Sequence, residues 1–296
     1  MFTTTTHPDG RTLTTYNFSS LAELADFSIN RQSFFPSKST PSSREEGKKA
    51  SWDMGVDFPL SVSLCQNGWE QGAEKLLKRF TSLAATVSEQ ILKRPIKWDV
   101  IGQHFDVSRV VNGEPESWFR KGKPVRKHGS RRLVTILVNI SASCAIRSSV
   151  IEARGMVIAA LAAALARAGR SVKIVVSAYS EGNGCNDVQI NTIVKQPEAP
   201  FDLARTAYAL CHPAMLRRQY LAVMENCEHF ITYNAVGYGV PTEIPHDPNV
   251  IYMGMAHAAD SHWMDDYTAQ EWIVEQLRQQ GVEMKTNDAN REDGYE

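Results

Sequence analysis

The sequence predicts an α/β protein of three layers. Helices cover both sides of a mostly parallel central sheet with one antiparallel edge strand, and an α-rich region precedes it. Three observations predict it. Leu133–Val138 is a near-continuous apolar run with β-branched residues, the pattern of a strand buried on both faces. Ser149–Ala168 is helix-like and apolar nearly all round. Val172–Ala178 is a second buried-type strand, so the three segments read as a βαβ unit. The first strand ends in Asn139-Ile140-Ser141-Ala142-Ser143, which places polar groups where open α/β sheets keep their ligands.

The other elements follow in chain order. Ser20–Glu23 has capping-box spacing ahead of a helix to Ile29. Residues 33–51 are rich in Pro, Ser and mixed charge, the composition of a mobile surface loop. Trp69–Ile91 carries apolar residues at helical spacing and stops before Pro95. Trp98–Val111 alternates in places and holds a strand or two. Ser149–Glu152 has capping-box spacing, and Gly169 suits the end of the same helix. Val188–Val194 reads as the edge strand returning antiparallel. Helices are expected over Phe201–Leu210 and Ala214–Glu225, the latter with Arg217 and Arg218 on its surface. His229–Tyr233 and Asn249–Gly254 read as strands, and Asp265/Asp266 cap a last amphipathic helix ended by Gly281. The expected organisation is an α-rich region at 1–130, an α/β domain at 131–284 and a disordered acidic tail at 285–296.

Composition narrows the function classes. A net charge of −1 gives no global field toward nucleic acid or anionic membrane. Val150–Ala168, the longest apolar stretch, is interrupted by Glu152, Arg154 and Arg167, so no membrane span is expected. Five cysteines, an odd count without C-x-x-C spacing, fit free thiols in a reducing compartment, the cytoplasm.

Taken together, the element order and the Asn139-x-Ser141-x-Ser143 turn resemble the von Willebrand factor A domain over residues 131–281. In that family the first strand ends in Asp-x-Ser-x-Ser, and those three residues help bind a divalent cation with a Thr and an Asp from two further loops. The resemblance implies Ser141, Ser143 and Asp202 as ligands to Mg²⁺ or Mn²⁺, with Glu198 and Asn234 on neighbouring loops. The motif is degenerate: Asn139 stands in place of the first Asp and Tyr233 in place of the second, and neither brings the charge a hard cation favours. The resemblance also implies a non-enzymatic adaptor that binds a protein through Asn139–Ser143, Glu198–Asp202 and Asn234–Val240, with AAA+ ATPases as a partner class. The chain is similar as well to bacteriophage and plasmid proteins that carry such a domain, which would place it in a host cytoplasm.

Two other chemistries stay open. Arg120, Lys121, Lys123, Arg126, Lys127, Arg131 and Arg132 form a basic run able to meet phosphates, with Trp118 and Phe119 at its edge. A hydrolase-like site would use Ser141, or His257 and His262 with Asp260 between them. The G-x-S-x-G elbow is absent, and Cys144 after the serines reads as a small hydrophobe in a buried turn.

Overall fold

The apolar run at Leu133 forms an internal strand of a seven-stranded mixed sheet. The computed structural model describes residues 2–6, 10–30, 42–45, 50–79, 96–99, 104–105, 118–121, 133–181, 186–226, 238 and 240–282. The strands are β1 (Phe2–Thr6), β2 (Thr12–Phe18), β3 (Ile96–Asp99), β4 (His104–Phe105), β5 (Trp118–Lys121), β6 (Leu133–Asn139), β7 (Ser171–Glu181), β8 (Asn186–Lys195), β9 (Val240–Pro241) and β10 (Ile251–Met253). The helices are α1 (Leu21–Asn30), α2 (Ala50–Asp53), α3 (Phe58–Asn67), α4 (70–79), α5 (Ser148–Arg167), α6 (Leu203–Cys211), a π-helix (Met215–Tyr220) running into α7 (Leu221–Glu225), a 3-10 helix (Ala258–Met264) and α8 (Asp266–Gln279).

The main sheet runs β1-β2-β8-β7-β6-β10, with β9 paired to the far end of β7. β6 lies parallel to β7 and to β10, as the βαβ pattern predicts. Two expectations are corrected. β8 does run antiparallel to β7, but it is no edge strand, because β2 pairs with its other side in parallel. Its outer neighbour comes from the N-terminus: the threonine-rich Phe2–Thr6 and Thr12–Phe18 form a hairpin, as β-branched residues favour. The sheet therefore crosses the boundary expected at 131, and with three parallel and three antiparallel pairings among the described residues it is mixed rather than mostly parallel. β3, β5 and β4 form a separate three-stranded antiparallel sheet.

One face of the main sheet carries the core. Val134, Ile136 and Val138 of β6, Ile174 and Val176 of β7, and Val188 and Ile190 of β8 are all buried. α5 packs against β7, α6, α8 and the 3-10 helix, which explains why its sequence is apolar on every side. By length and composition α5 is long and apolar enough to cross a membrane, yet it is largely buried inside this fold. Its start departs from the expected capping box, since Arg147 stands at the cap with no side-chain bond. Its end is as expected: Gly169 at φ +82° reverses the chain, and Arg170 N–H donates to the Leu165 carbonyl at 3.0 Å.

The π-helix overturns a further expectation. Arg217 and Arg218 are 2% and 0% exposed, not on the surface. All six residues of the π-helix, Met215 to Tyr220, are buried, in line with the buried residues of α6 and α7 on either side. Arg218 meets Asp53 at 2.5 Å, and the Tyr220 hydroxyl lies 2.9 Å from both the Val176 carbonyl and the Thr192 hydroxyl. Part of the expected mobile loop at 33–51 is likewise held inside. Ser43 is 1% exposed, its N–H donates to Glu225 at 2.6 Å, and Arg44 pairs with the same carboxylate at 2.5 Å.

Candidate functional site

The turn after β6 is built by two side chains that replace backbone partners. Asn139 is fully buried: its Oδ1 accepts from Ser141 N–H at 2.9 Å, and its Nδ2 donates to the Thr242 carbonyl at 3.0 Å and the Tyr252 hydroxyl at 3.3 Å. Ser141 is 3% exposed, and its hydroxyl accepts from Tyr179 N–H at 3.0 Å while donating to the Tyr179 carbonyl at 3.2 Å. β6 has left the ladder at this point, so the hydroxyl completes the edge of β7. Beyond it the chain turns outward, and Ser143 and Cys144 are exposed, which corrects the reading of Cys144 as a buried hydrophobe.

A cavity of about 410 Å³ opens beside these two residues, at the carboxyl ends of β6 and β7. Trp52 of α2 and Leu216, Leu221 and Met224 of the π-helix and α7 give it an apolar wall. Ser143, Cys144, Ser180, Tyr238 and Arg217 supply its polar rim. Several of these groups are already engaged. Ser180 Oγ donates to the Tyr238 carbonyl at 2.6 Å, and the Tyr238 hydroxyl donates to Glu225 at 2.7 Å. The Tyr179 hydroxyl donates to Asp187 at 2.8 Å, and burial together with that carboxylate pushes its pKa upward. Arg217 donates to the carbonyls of Trp52 and Ile146, and its guanidinium stacks 5.1 Å from the centre of the Trp52 ring. Among the described residues no histidine or carboxylate lines the cavity, so neither Ser143 nor Cys144 meets a general base there.

The expected ligands do not converge. β8 runs back along β7, so the loop after it lies at the opposite edge of the sheet from Asn139–Ser143. There Glu198 accepts from Ser171 Oγ at 3.0 Å, and Ser171 pairs with Leu133 at the start of β6. The two edges stand about 20 Å apart at ~3.3 Å per strand residue. Asp202 caps α6, accepting from Arg205 N–H at 3.0 Å, with the Arg205 guanidinium at 3.6 Å. Asp202 therefore cannot share a cation with Ser141 and Ser143. Among the described residues no three His, Cys, Asp or Glu side chains cluster as a metal site.

Asn234 lies outside the described residues, as do His229–Tyr233 and, of the basic run, Lys123, Arg126, Lys127, Arg131 and Arg132. Arg120 and Lys121 are consecutive residues of β5, paired in register with Lys97 and Ile96 of β3. His257 stands at the N-cap of the 3-10 helix and His262 within it, and they do not join a metal-ligand cluster among the described residues: Asp260 accepts from His257 N–H at 3.0 Å and His262 Nδ1 lies 2.8 Å from the Ala259 carbonyl. Asp260 is itself paired with the buried Arg154 at 3.0 Å. Two of the residues that define the cavity, Trp52 and Arg217, were not expected from the sequence. The available signal was a pair of adjacent arginines inside the apolar stretch Ala214–Met224, a charge placement that an amphipathic surface helix does not need.

Ser141→Ala should lower stability by about 1–3 kcal/mol, because both Tyr179 backbone groups lose a buried partner. Millimolar Mg²⁺ should leave the melting temperature of both proteins unchanged. A concentration-dependent rise in the parent alone would restore the cation reading.

A family model described as a domain of unknown function, DUF7192, matches residues 3–284. The chain belongs to the DUF7192 family. No curated protein and no solved structure matches it. The DUF7192 match runs from the N-terminal hairpin past the end of α8, across the boundary expected at 131, in keeping with one sheet that uses both parts of the chain.

Proposed function

We propose that this chain is a non-enzymatic recognition protein, an adaptor that docks a partner protein on the carboxyl edge of a sheet like that of the von Willebrand factor A domain. One apolar side chain of the partner fills the cavity beside Ser143. The observation that carries this reading is the cavity itself. At about 410 Å³ it falls within the size of ligand pockets, and its apolar wall and few polar groups match their chemistry. The serines of the degenerate motif support binding without a cation, since Asn139 and Ser141 are spent on the turn. An AAA+ ATPase is the partner class that the resemblance implies.

The test fills the cavity. Ser143 is exposed at its rim, so Ser143→Trp should fold with an unchanged melting temperature. In affinity capture from the native cells, a protein held by the parent should be retained about tenfold less by the variant, a loss of ~1.4 kcal/mol. Equal retention of every captured protein by the two would overturn the reading.

A further inference from the structure

Arg217 is 2% exposed and lines the cavity, yet among the described residues no carboxylate forms an ion pair with it; it donates to two backbone carbonyls, its guanidinium faces the Trp52 ring, and Asp53 acts on it only at longer range. The neighbouring Arg218 takes Asp53 for itself at 2.5 Å. A guanidinium carries five N–H donors in a rigid fork, and the two carbonyls use two of them. A buried cation with no carboxylate in contact is costly: burial draws the Arg217 pKa down to about 10 against the opposing pull of the more distant Asp53, which leaves it charged at neutral pH. The exposed Ser143 and Cys144 add a hydroxyl and a thiol at the mouth, and the wall opposite is hydrocarbon from Leu216, Leu221 and Met224.

We infer that the cavity binds an apolar carboxylate, with the acid group set against Arg217 and Ser143 and the hydrocarbon part against Leu216, Leu221 and Met224. The placement follows from charge and shape together. A carboxylate supplies a counter-ion in direct contact, which Asp53, held by Arg218, does not, and in the planar geometry the fork matches. An anion without hydrocarbon would leave the apolar wall wet, and a neutral apolar group would leave the charge uncompensated. The inference rests on the reading of the cavity as a recognition site and names the chemistry of what enters it. Such a group can be the C-terminal residue of a partner chain or a free aliphatic acid.

Cys144 on the rim reports occupancy, because a bound ligand shields its thiol from iodoacetamide. Alkylation of Cys144 is followed on the full chain by peptide mass mapping, with four probes: N-acetyl-glycyl-leucine, its C-terminal amide, octanoate and octanamide. The expected result is protection by at least one acid at a concentration about tenfold below that needed by its amide. Protection by the dipeptide acid assigns the site to a chain terminus, and by octanoate to a free acid. Arg217→Gln should abolish the difference between acid and amide. Since Arg217 also holds Trp52 and Ile146, Ser143→Asp provides a second variant that leaves those contacts intact, and its added charge should weaken acid binding about tenfold. Equal protection by acid and amide, or none by any probe, overturns the inference. Failure to capture a partner protein does not, because the probes test the cavity without one.

Discussion

Arg218→Met should lose about 3–5 kcal/mol of stability in urea unfolding, a large share of the ~5–15 kcal/mol margin of a typical protein. Arg218 and Asp53 are both fully buried and meet at 2.5 Å. The same guanidinium donates from Nε to the Val56 carbonyl at 3.0 Å and from Nη1 to the Ser43 carbonyl at 2.7 Å. Removing it strands one carboxylate and two carbonyls away from water. Asp53 also accepts from the Gly55 N–H at 2.8 Å, but a neutral donor does not replace the lost cation. An exposed ion pair would be worth less than about 1 kcal/mol, so the size of the loss separates the buried reading from a surface one. The double variant Asp53→Leu/Arg218→Met sharpens the test. With both charges gone the penalty for an unpaired carboxylate disappears, and the double variant should be more stable than Arg218→Met alone. If the two single losses simply add, the pair is not the anchor described here. The consequence reaches the cavity, because Arg218 ties α2, which carries Trp52, to the helix that carries Arg217.

What the sequence discloses about this fold is what short-range patterning can encode. Leu133–Val138 and Val172–Ala178 are apolar over consecutive residues, and they become parallel neighbours in the expected order. Asp265 accepts from Thr268 N–H at 2.8 Å, as a capping residue should. Pairing between distant segments is not encoded in that way. Nothing local in Phe2–Phe18 announces that β2 will lie beside β8, although its threonines favour a strand. The expected site was dispersed for another reason. Glu198 and Asp202 were placed with Ser141 by the resemblance, although the antiparallel β8, itself expected, delivers its following loop to the other edge. Asn139, Ser141 and Ser143 do sit at the expected edge, and Ser141 and Ser143 line the cavity, but the hydrogen bonds of Asn139 and Ser141 are consumed in the turn. Arg217 was missed because the whole stretch 206–226 is buried, whereas two adjacent arginines read locally as a solvated face.

Gly155→Ala is the second substitution with a large expected effect, and its sign runs against helix propensity. In an ordinary helix interior, alanine in place of glycine should stabilise by about 1 kcal/mol. Gly155 lies within α5, where that helix meets α6. A Cβ there would stand 2.2 Å from the Leu210 carbonyl oxygen, 2.4 Å from its carbon and 2.8 Å from the Cys211 Cα. All three are backbone atoms, so no side chain can rotate away and the two helices must separate. The surrounding residues give little room: Val157 and Ile158 are fully buried on α5, and Ala207 on α6. Overpacking of a tight core costs about 1–3 kcal/mol, which outweighs the propensity gain. The expected outcome is therefore a net loss of stability in urea unfolding, and a larger loss for Gly155→Val, which adds bulk and β-branching at the same point. A stabilised Gly155→Ala protein would mean that α5 and α6 are further apart than described. That spacing matters beyond stability, because α6 leads directly through Pro213 into the π-helix whose Arg217 and Leu216 line the cavity. The loss should thus be accompanied by weaker discrimination between acid and amide probes at Cys144, whereas a variant that only weakened the distant N-terminal hairpin should leave that discrimination intact.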